Sequence, residues 1–391
     1  MKKNVYLFLK IMLISVMALN LTGCWDNLEL NEIAIVMGIG IDKSPKIGEV
    51  DMTVQVANTV GIKSSSSESG PKNTNSYLNL ESTGDTIFNI VRGFSKKSSR
   101  KLLFAQNQVI ILGRGIAEEG LGKYIDFFFR DRGARSLVWI LISDETAKEI
   151  LSVKSDFESM PAASINELVK QQQYNSEAPM VDLHKFASRL MSKTTSPIAP
   201  IIKISREGNI KTAYVSGTAV FKKNKMIGEM NKVETRGLLW AIGEVETGII
   251  VTADPGTNNK VSLQITRASS KIIPEIEDGR VRMKIKIKEE GNLGDQSDSN
   301  DLAIPKVVED IEKEKAAVIK NEVMLALKKA QSLNADVFGF GEAIYQEYPK
   351  EWKSIEGDWD KIFKNISVDI VVEAKVRRTG NIGKPITSEQ Q

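Results

Sequence analysis

The chain is 391 residues long, 41% hydrophobic and 26% charged, an ordinary globular composition with room for two or three domains. Its formal charge of +3 comes from three lysines in the first ten residues, since without them 50 basic residues face 50 acidic ones; that balance lacks the electrostatic footprint of a nucleic-acid binder. One histidine and one cysteine exclude a disulfide within the chain and zinc sites of the usual His/Cys kinds, and neither a GxxxxGK[ST] phosphate loop nor a GxSxG elbow occurs.

The chain opens on Lys2 and Lys3, followed by the largely apolar residues 5–21. Their uninterrupted core, residues 11–19, is far short of the roughly 20 residues that cross a bilayer as a helix. Those flanks and that length describe a signal peptide over residues 1–23. Leu21, Thr22 and Gly23 then precede Cys24, a run that resembles the lipobox of bacterial prolipoproteins. The resemblance implies signal-peptidase recognition by Leu21, Thr22 and Gly23. It also implies that Cys24 takes S-diacylglycerol and an N-acyl chain such as palmitate. A transmembrane anchor with an incidental cysteine is the alternative, and the absence of any other cysteine argues against it. Two acyl chains anchor stably, whereas one holds only marginally at about 0.8 kcal/mol per buried CH₂.

After the charged residues 25–30, which begin with Trp25 and Asp26, comes an apolar run over residues 33–41. Val50, Met52, Val54 and Val56 alternate with polar neighbours, as a half-buried strand requires. The polar turn between the two runs predicts an antiparallel hairpin. Gly38 and Gly40 form a lone GxG without the third glycine of a dinucleotide site, and read as the glycine-broken end of a strand. Residues 61–76 are rich in Ser, Asn and Gly and predict a flexible loop. A helix starts within residues 84–91, a buried strand spans 108–112, and an aromatic-rich helix spans 117–129. A strand follows over 137–142, and Asp144 caps a short helix ending near Leu151. Strands alternating with helices predict a mixed α/β N-terminal domain over residues 24–205. Its last part, residues 154–200, forms a helical linker with pieces around 165–173 and 183–192. His184 lies there among charged residues and reads as a solvated helix position, not a catalytic base. No other residue is singled out as catalytic, and no metal or cofactor site is expected.

The domain boundary is placed near residues 200–211, with a C-terminal α+β domain over 206–380 and a disordered tail over 381–391. Residues 217–221 and 226–228 flank the polar turn Lys222 to Lys225, which predicts a hairpin. Val261, Leu263 and Ile265 alternate with polar residues, as do Val281, Met283, Ile285 and Ile287. Arg282, Lys284, Lys286 and Lys288 form the other face of that strand. They read as a solvated face blunted against edge pairing, with lipid phosphates as the alternative partner. A long helix spans residues 305–332, with Val308, Ile311, Val318, Val323, Ala326 and Ala330 as its buried stripe and Lys315 as a weak point in it. Trp352 and Trp359 read as closing the loop to a final strand, with a binding platform as the alternative; that strand's apolar positions run at period two from Ile366 to Val376. The overall class is α+β: a mixed α/β domain followed by one in which a long helix packs on a sheet.

Gly23 to Asp26, Gly38 to Asp42, Phe129-Arg130-Asp131 with Arg135, Gly217 to Phe221, Asp336 to Gly341, Trp352, Trp359 and the run from Val376 through Arg377 to Gly380 occur in one order. In that order they resemble the Ger(x)C family, the lipoprotein subunits of germinant receptors in spore-forming bacteria. The resemblance implies a non-catalytic subunit that joins two polytopic membrane subunits in a nutrient-sensing complex. It would be held by lipid on the extracytoplasmic face of the spore's inner membrane. A surface solute-binding lipoprotein or a lipid-anchored hydrolase is the rival reading. The first would show two similar lobes, and the second a nucleophile and base that the sequence does not offer.

Overall fold

The computed structural model describes residues 2–19, 29, 31–58, 75–130, 137–155, 157–254, 259–277, 280–296, 302 and 304–378. Helix α1 (Lys2–Leu19) covers most of the expected signal peptide. No helix among the described residues is long and apolar enough to cross a membrane. Most of the expected flexible loop and the whole C-terminal tail lie outside the described residues.

Strands β1 (Ile33–Lys43) and β2 (Val50–Ala57) pair antiparallel, as the alternation predicts, and β3 (Tyr77–Gly84) extends them. Next come α2 (Ile87–Gly93), capped by the Thr86 side chain, and the short β4 (Lys101–Leu103), which pairs with the start of β1. Strands β5 (Val109–Gly113), β6 (Trp139–Ser143) and β7 (Ile198–Glu207) run parallel from β1 outward. Helices α3 (Arg114–Glu119) and α4 (Gly122–Arg130) connect β5 to β6. Helices α5 (Ala147–Ile150), α6 (Pro161–Lys170), α7 (Gln172–Asn175) and α8 (Leu183–Met191) connect β6 to β7. The antiparallel β8 (Ile210–Lys222) and β9 (Lys225–Met230) complete a sheet ordered β3-β2-β1-β5-β6-β7-β8-β9. The boundary expected near residues 200–211 thus falls in the β7–β8 hairpin, and the sheet continues across it.

Both faces of this sheet are covered, and parallel strands so buried read as unbroken apolar runs. On β5, Ile110 and Leu112 enter one core while Val109 and Ile111 enter another under α5 and α6. Each such side chain contributes roughly 1.5–3 kcal/mol when fully buried. The second core explains Gly38 and Gly40, which lie inside β1 and not at its end. A Cβ on Gly38 would sit 2.8 Å from Ala162 Cβ, and one on Gly40 3.0 Å from Ala147 Cβ. The glycines let two helices approach the strand.

Two local expectations need correction. The aromatic helix over 117–129 is two helices, because Gly120 adopts φ +128°, a conformation glycine enters freely. The cap of α5 is Thr146, not Asp144. Asp42, at the end of β1, also accepts the N–H groups of Ala147 and Lys148 at 2.8 and 3.0 Å, and Asp144 pairs instead with Arg114.

The second sheet begins after α9 (Lys232–Ile242), whose start is a full capping box between Asn231 and Glu234. Strands β10 (Gly248–Ala253), β11 (Lys260–Glu277), β12 (Arg280–Gln296) and β13 (Ser367–Arg378) lie in that order, antiparallel except for the parallel β12–β13 pair. Helix α10 (Pro305–Leu333) has 29 residues, about 44 Å at 1.5 Å per residue, and packs across this sheet. The basic stripe faces solvent, but β12 is an interior strand and blunts no edge. Arg282, Lys284 and Lys288 pair with acids on the flanking strands instead. The main core is continuous from Val36 and Ile39 in the first sheet, through Trp240 and Val323, to Ile285 and Ile370 in the second. The chain is α+β.

Candidate functional site at the junction of the two sheets

Helix α10 ends at Asn334, whose left-handed φ of +50° turns the chain. Ala335, Asp336, Val337 and Phe338 then run buried into α11 (Phe340–Glu347), which starts after Gly339 at φ +80°. The first N–H groups of a helix lack partners within it, and here one carboxylate supplies them. Asp336 accepts from Gly339 at 2.9 Å, Phe340 at 3.0 Å and Gly341 at 2.8 Å. Burial pushes its pKa up to about 6 although the three N–H donors pull it down.

The same turn is bound to the first domain. Asp336 O accepts the Ser196 N–H at 2.8 Å. From α8, Arg189 donates to Val337 O at 2.9 Å and to Ser196 O at 3.3 Å. A Cβ on Gly341 would lie 2.8 Å from Thr194 Cβ and 3.0 Å from the Trp359 ring, so that glycine is required by the close approach. Lys222, at the β8–β9 turn, donates to Asn334 O at 2.7 Å and pairs with Asp360 at 2.8 Å. Trp352, on α12 (Pro349–Ile355), and Trp359, opening α13 (Trp359–Asn365), meet edge to face at 5.3 Å. Such a pair adds about 0.5–1.5 kcal/mol beyond its buried area. A cleft of about 650 Å³ opens along this joint, between Arg189 and Thr194 on one side and Tyr345 and Trp352 on the other.

A second contact joins α9 to α10. At Gly237 the helices cross so closely that an added Cβ would overlap the backbone of Glu322 and Val323. Beside it, the buried Glu322 pairs with Arg236 and accepts the Trp240 indole N–H at 3.0 Å. A third polar group lies inside the second domain. Lys315 is fully buried and pairs with Glu289 of β12 at 2.6 Å, in space left by Gly291, where a Cβ would meet both side chains. Burial raises the Glu289 carboxyl to about 7 and lowers Lys315. The buried stripe of α10 is therefore Ile311, Lys315, Ile319, Val323, Ala326 and Ala330, with Val308 and Val318 only half-buried. Lys315 is not a flaw in the stripe, because an acid on the facing strand matches it.

The structure brings together Trp352, Trp359 and the Asp336 to Gly341 run. It keeps Arg130 and Arg377 apart from them: Arg130 ends α4 and pairs with Asp126 at 2.5 Å, and Arg377 pairs with Glu290 at 2.7 Å near the end of β13. Leu21, Thr22, Gly23, Cys24, Trp25, Asp26, Asp131 and Arg135 lie outside the described residues. His184 is exposed on α8. Arg189, Gly237, Glu322 and Glu289 were not singled out by sequence. The chemistry of the junction is positional: Asp336, Arg189, Lys222 and Glu322 are bound to backbone groups or to other side chains. Among the described residues, no group of three or more His, Cys, Asp or Glu is placed to hold a metal ion.

Two dissimilar halves, a mixed sheet covered on both faces and a smaller sheet crossed by one long helix, define a two-domain α+β protein locked at a shared junction. Residues 26–204 match the model of the spore germination protein N-terminal domain, and residues 216–380 that of the "spore germination B3/GerAC like, C-terminal" family. Spore germination protein KC of Bacillus subtilis is 28% identical over 96% of this chain and 96% of its own length. Spore germination protein B3 of the same organism is 23% identical over 94% of this chain and 97% of its own. The crystal structure of the GerBC protein superposes with a TM-score of 0.57 over 90% of this chain and 99% of that one, at 18% identity, and so shares the fold. The chain belongs to the Ger(x)C family of spore germination proteins.

Proposed function

We propose that the chain is a lipid-anchored, non-catalytic subunit of a nutrient germinant receptor needed for spore germination. In this reading acylated Cys24 holds it on the extracytoplasmic face of the spore's inner membrane, where it assembles with two polytopic membrane subunits. The observation that carries the proposal is a family match to both domains in order, together with relatives that align over nearly the whole chain. The buried polar side chains of the junction support it, since Asp336, Arg189 and Glu322 cap, bridge and pair within the fold. A solute-binding protein would show two similar lobes, and these two sheets differ in size, topology and helix cover.

Cys24→Ala tests the anchor. The variant precursor is expected to keep its leader and to take up no labelled palmitate. Equal palmitate incorporation into the wild type and the variant would remove the anchor from the proposal.

A further inference from the structure

A half-open cleft of about 870 Å³ lies between α2, the turn after it and α4, within the size range of ligand sites. Its floor is apolar: Ile87, Phe94 and Phe104 are buried there. Phe88 and Phe127 form a wall, with ring centroids 6.4 Å apart, and Phe88 is 59% exposed. The rim is cationic. Arg92, with its guanidinium 5.2 Å from the centre of the Phe88 ring, lines the cleft together with Lys101, Lys123 and Arg130. The carboxylate in the lining, Asp126, is taken up by Arg130. A phenyl-lined floor under a basic rim matches a molecule with an apolar body and an anionic head.

The position of the cleft indicates where such a molecule comes from. Lys101 is paired in register with Ile33, nine residues after Cys24, a tether of about 30 Å at full extension. With Cys24 acylated, the Lys101 end of the rim is therefore kept within about 30 Å of a bilayer surface, close enough to reach it. A lipid chain combined with a basic patch holds a protein at an anionic membrane better than the chain alone.

We propose that this cleft binds the headgroup and adjoining acyl chain of an anionic phospholipid, a second, non-covalent hold on the membrane that fixes which way the first domain faces. The source of the lipid rests on Cys24 being the anchor; the chemistry of the cleft does not. The test therefore uses the full mature chain carrying Cys24→Ser, mixed with phosphatidylcholine vesicles with or without phosphatidylglycerol. The unacylated chain is expected to bind the phosphatidylglycerol vesicles about tenfold more tightly at low salt. Lys101→Glu and Lys123→Glu should each remove most of that preference, and Phe88→Ser should weaken binding without changing charge. Lys286→Glu, on the exposed face of β12, should leave it unchanged. Equal binding to both kinds of vesicle would overturn the proposal. So would a loss with Lys286→Glu as large as with Lys101→Glu, which marks diffuse attraction, or displacement by glycerol phosphate alone, which marks a soluble ligand. Vesicle binding that persists while palmitate labelling fails would sink the anchor and leave the cleft standing.

Discussion

Gly237→Ala is expected to cost the mature chain about 4 kcal/mol or more, beyond the 1–3 kcal/mol usual for overpacking a core. Alanine in place of glycine normally helps a helix interior by up to about 1 kcal/mol, so the sign of the result is itself informative. The added methyl would meet the main chain of Glu322 and Val323, and backbone has no alternative rotamer to adopt. Relief requires α10 to move off α9. That movement also parts the buried Glu322 from Arg236 and from the Trp240 indole, leaving charges poorly compensated. At roughly 2–4 °C per kcal/mol for a domain of this size, the melting temperature should fall by about 10 °C. Gly357→Ala, at a site with open space around the Cβ position, should melt within a degree or two of the wild type, on the order of a neutral surface change. Equal melting of the two variants would show that the helices do not cross as described.

Asp336→Ala is expected to lower stability by about 3 kcal/mol at pH 7 and by more at pH 5. It strands three N–H donors at the start of α11, those of Phe340 and Gly341 buried and that of Gly339 partly so, and a buried donor costs about 1–3 kcal/mol when unpaired. The loss is partly offset at pH 7, because the folded protein pays to keep this carboxyl ionised. Its pKa is raised from 3.8 to about 6, so between those values the folded state binds more proton than the unfolded one. The carboxyl's contribution is fully present below the unfolded pKa and is lost as pH rises through about 6. The difference in unfolding free energy between wild type and variant should accordingly shrink from pH 4 to pH 7, by about 3 kcal/mol at most. Urea titrations at the two pH values measure it. A difference that grows with pH would contradict this account of Asp336.

Strand positions were legible wherever apolar residues alternate with polar ones, although β2 is not half-buried as its alternation suggests, because its polar Thr53 and Gln55 are covered as well. The alternation from Val50 to Val56 and from Val281 to Ile287 marked strands, and α10 was read to within a residue of its end. What escaped depends on partners distant in sequence. Lys315 reads as a defect until Glu289, from a strand that precedes the helix, is placed opposite it. Gly38 and Gly40 read as a strand end because the helices that need their missing side chains begin more than a hundred residues later. Asp336 stood inside a recognisable run, yet its capping role depends on a helix that starts four residues on. Gly237 went unread with the rest of α9, and a glycine within a helix is in any case too common to single out a helix crossing.

An assembly subunit should be recoverable together with the proteins it joins. An affinity-tagged copy is purified from detergent-solubilised spore membranes, and the proteins that come with it are quantified by mass spectrometry. Two multispanning membrane proteins are expected in amounts near that of the chain, and both should be depleted from spores carrying Gly237→Ala. A correctly folded, lipidated chain that emerges with no membrane protein in comparable amount would contradict the assembly role.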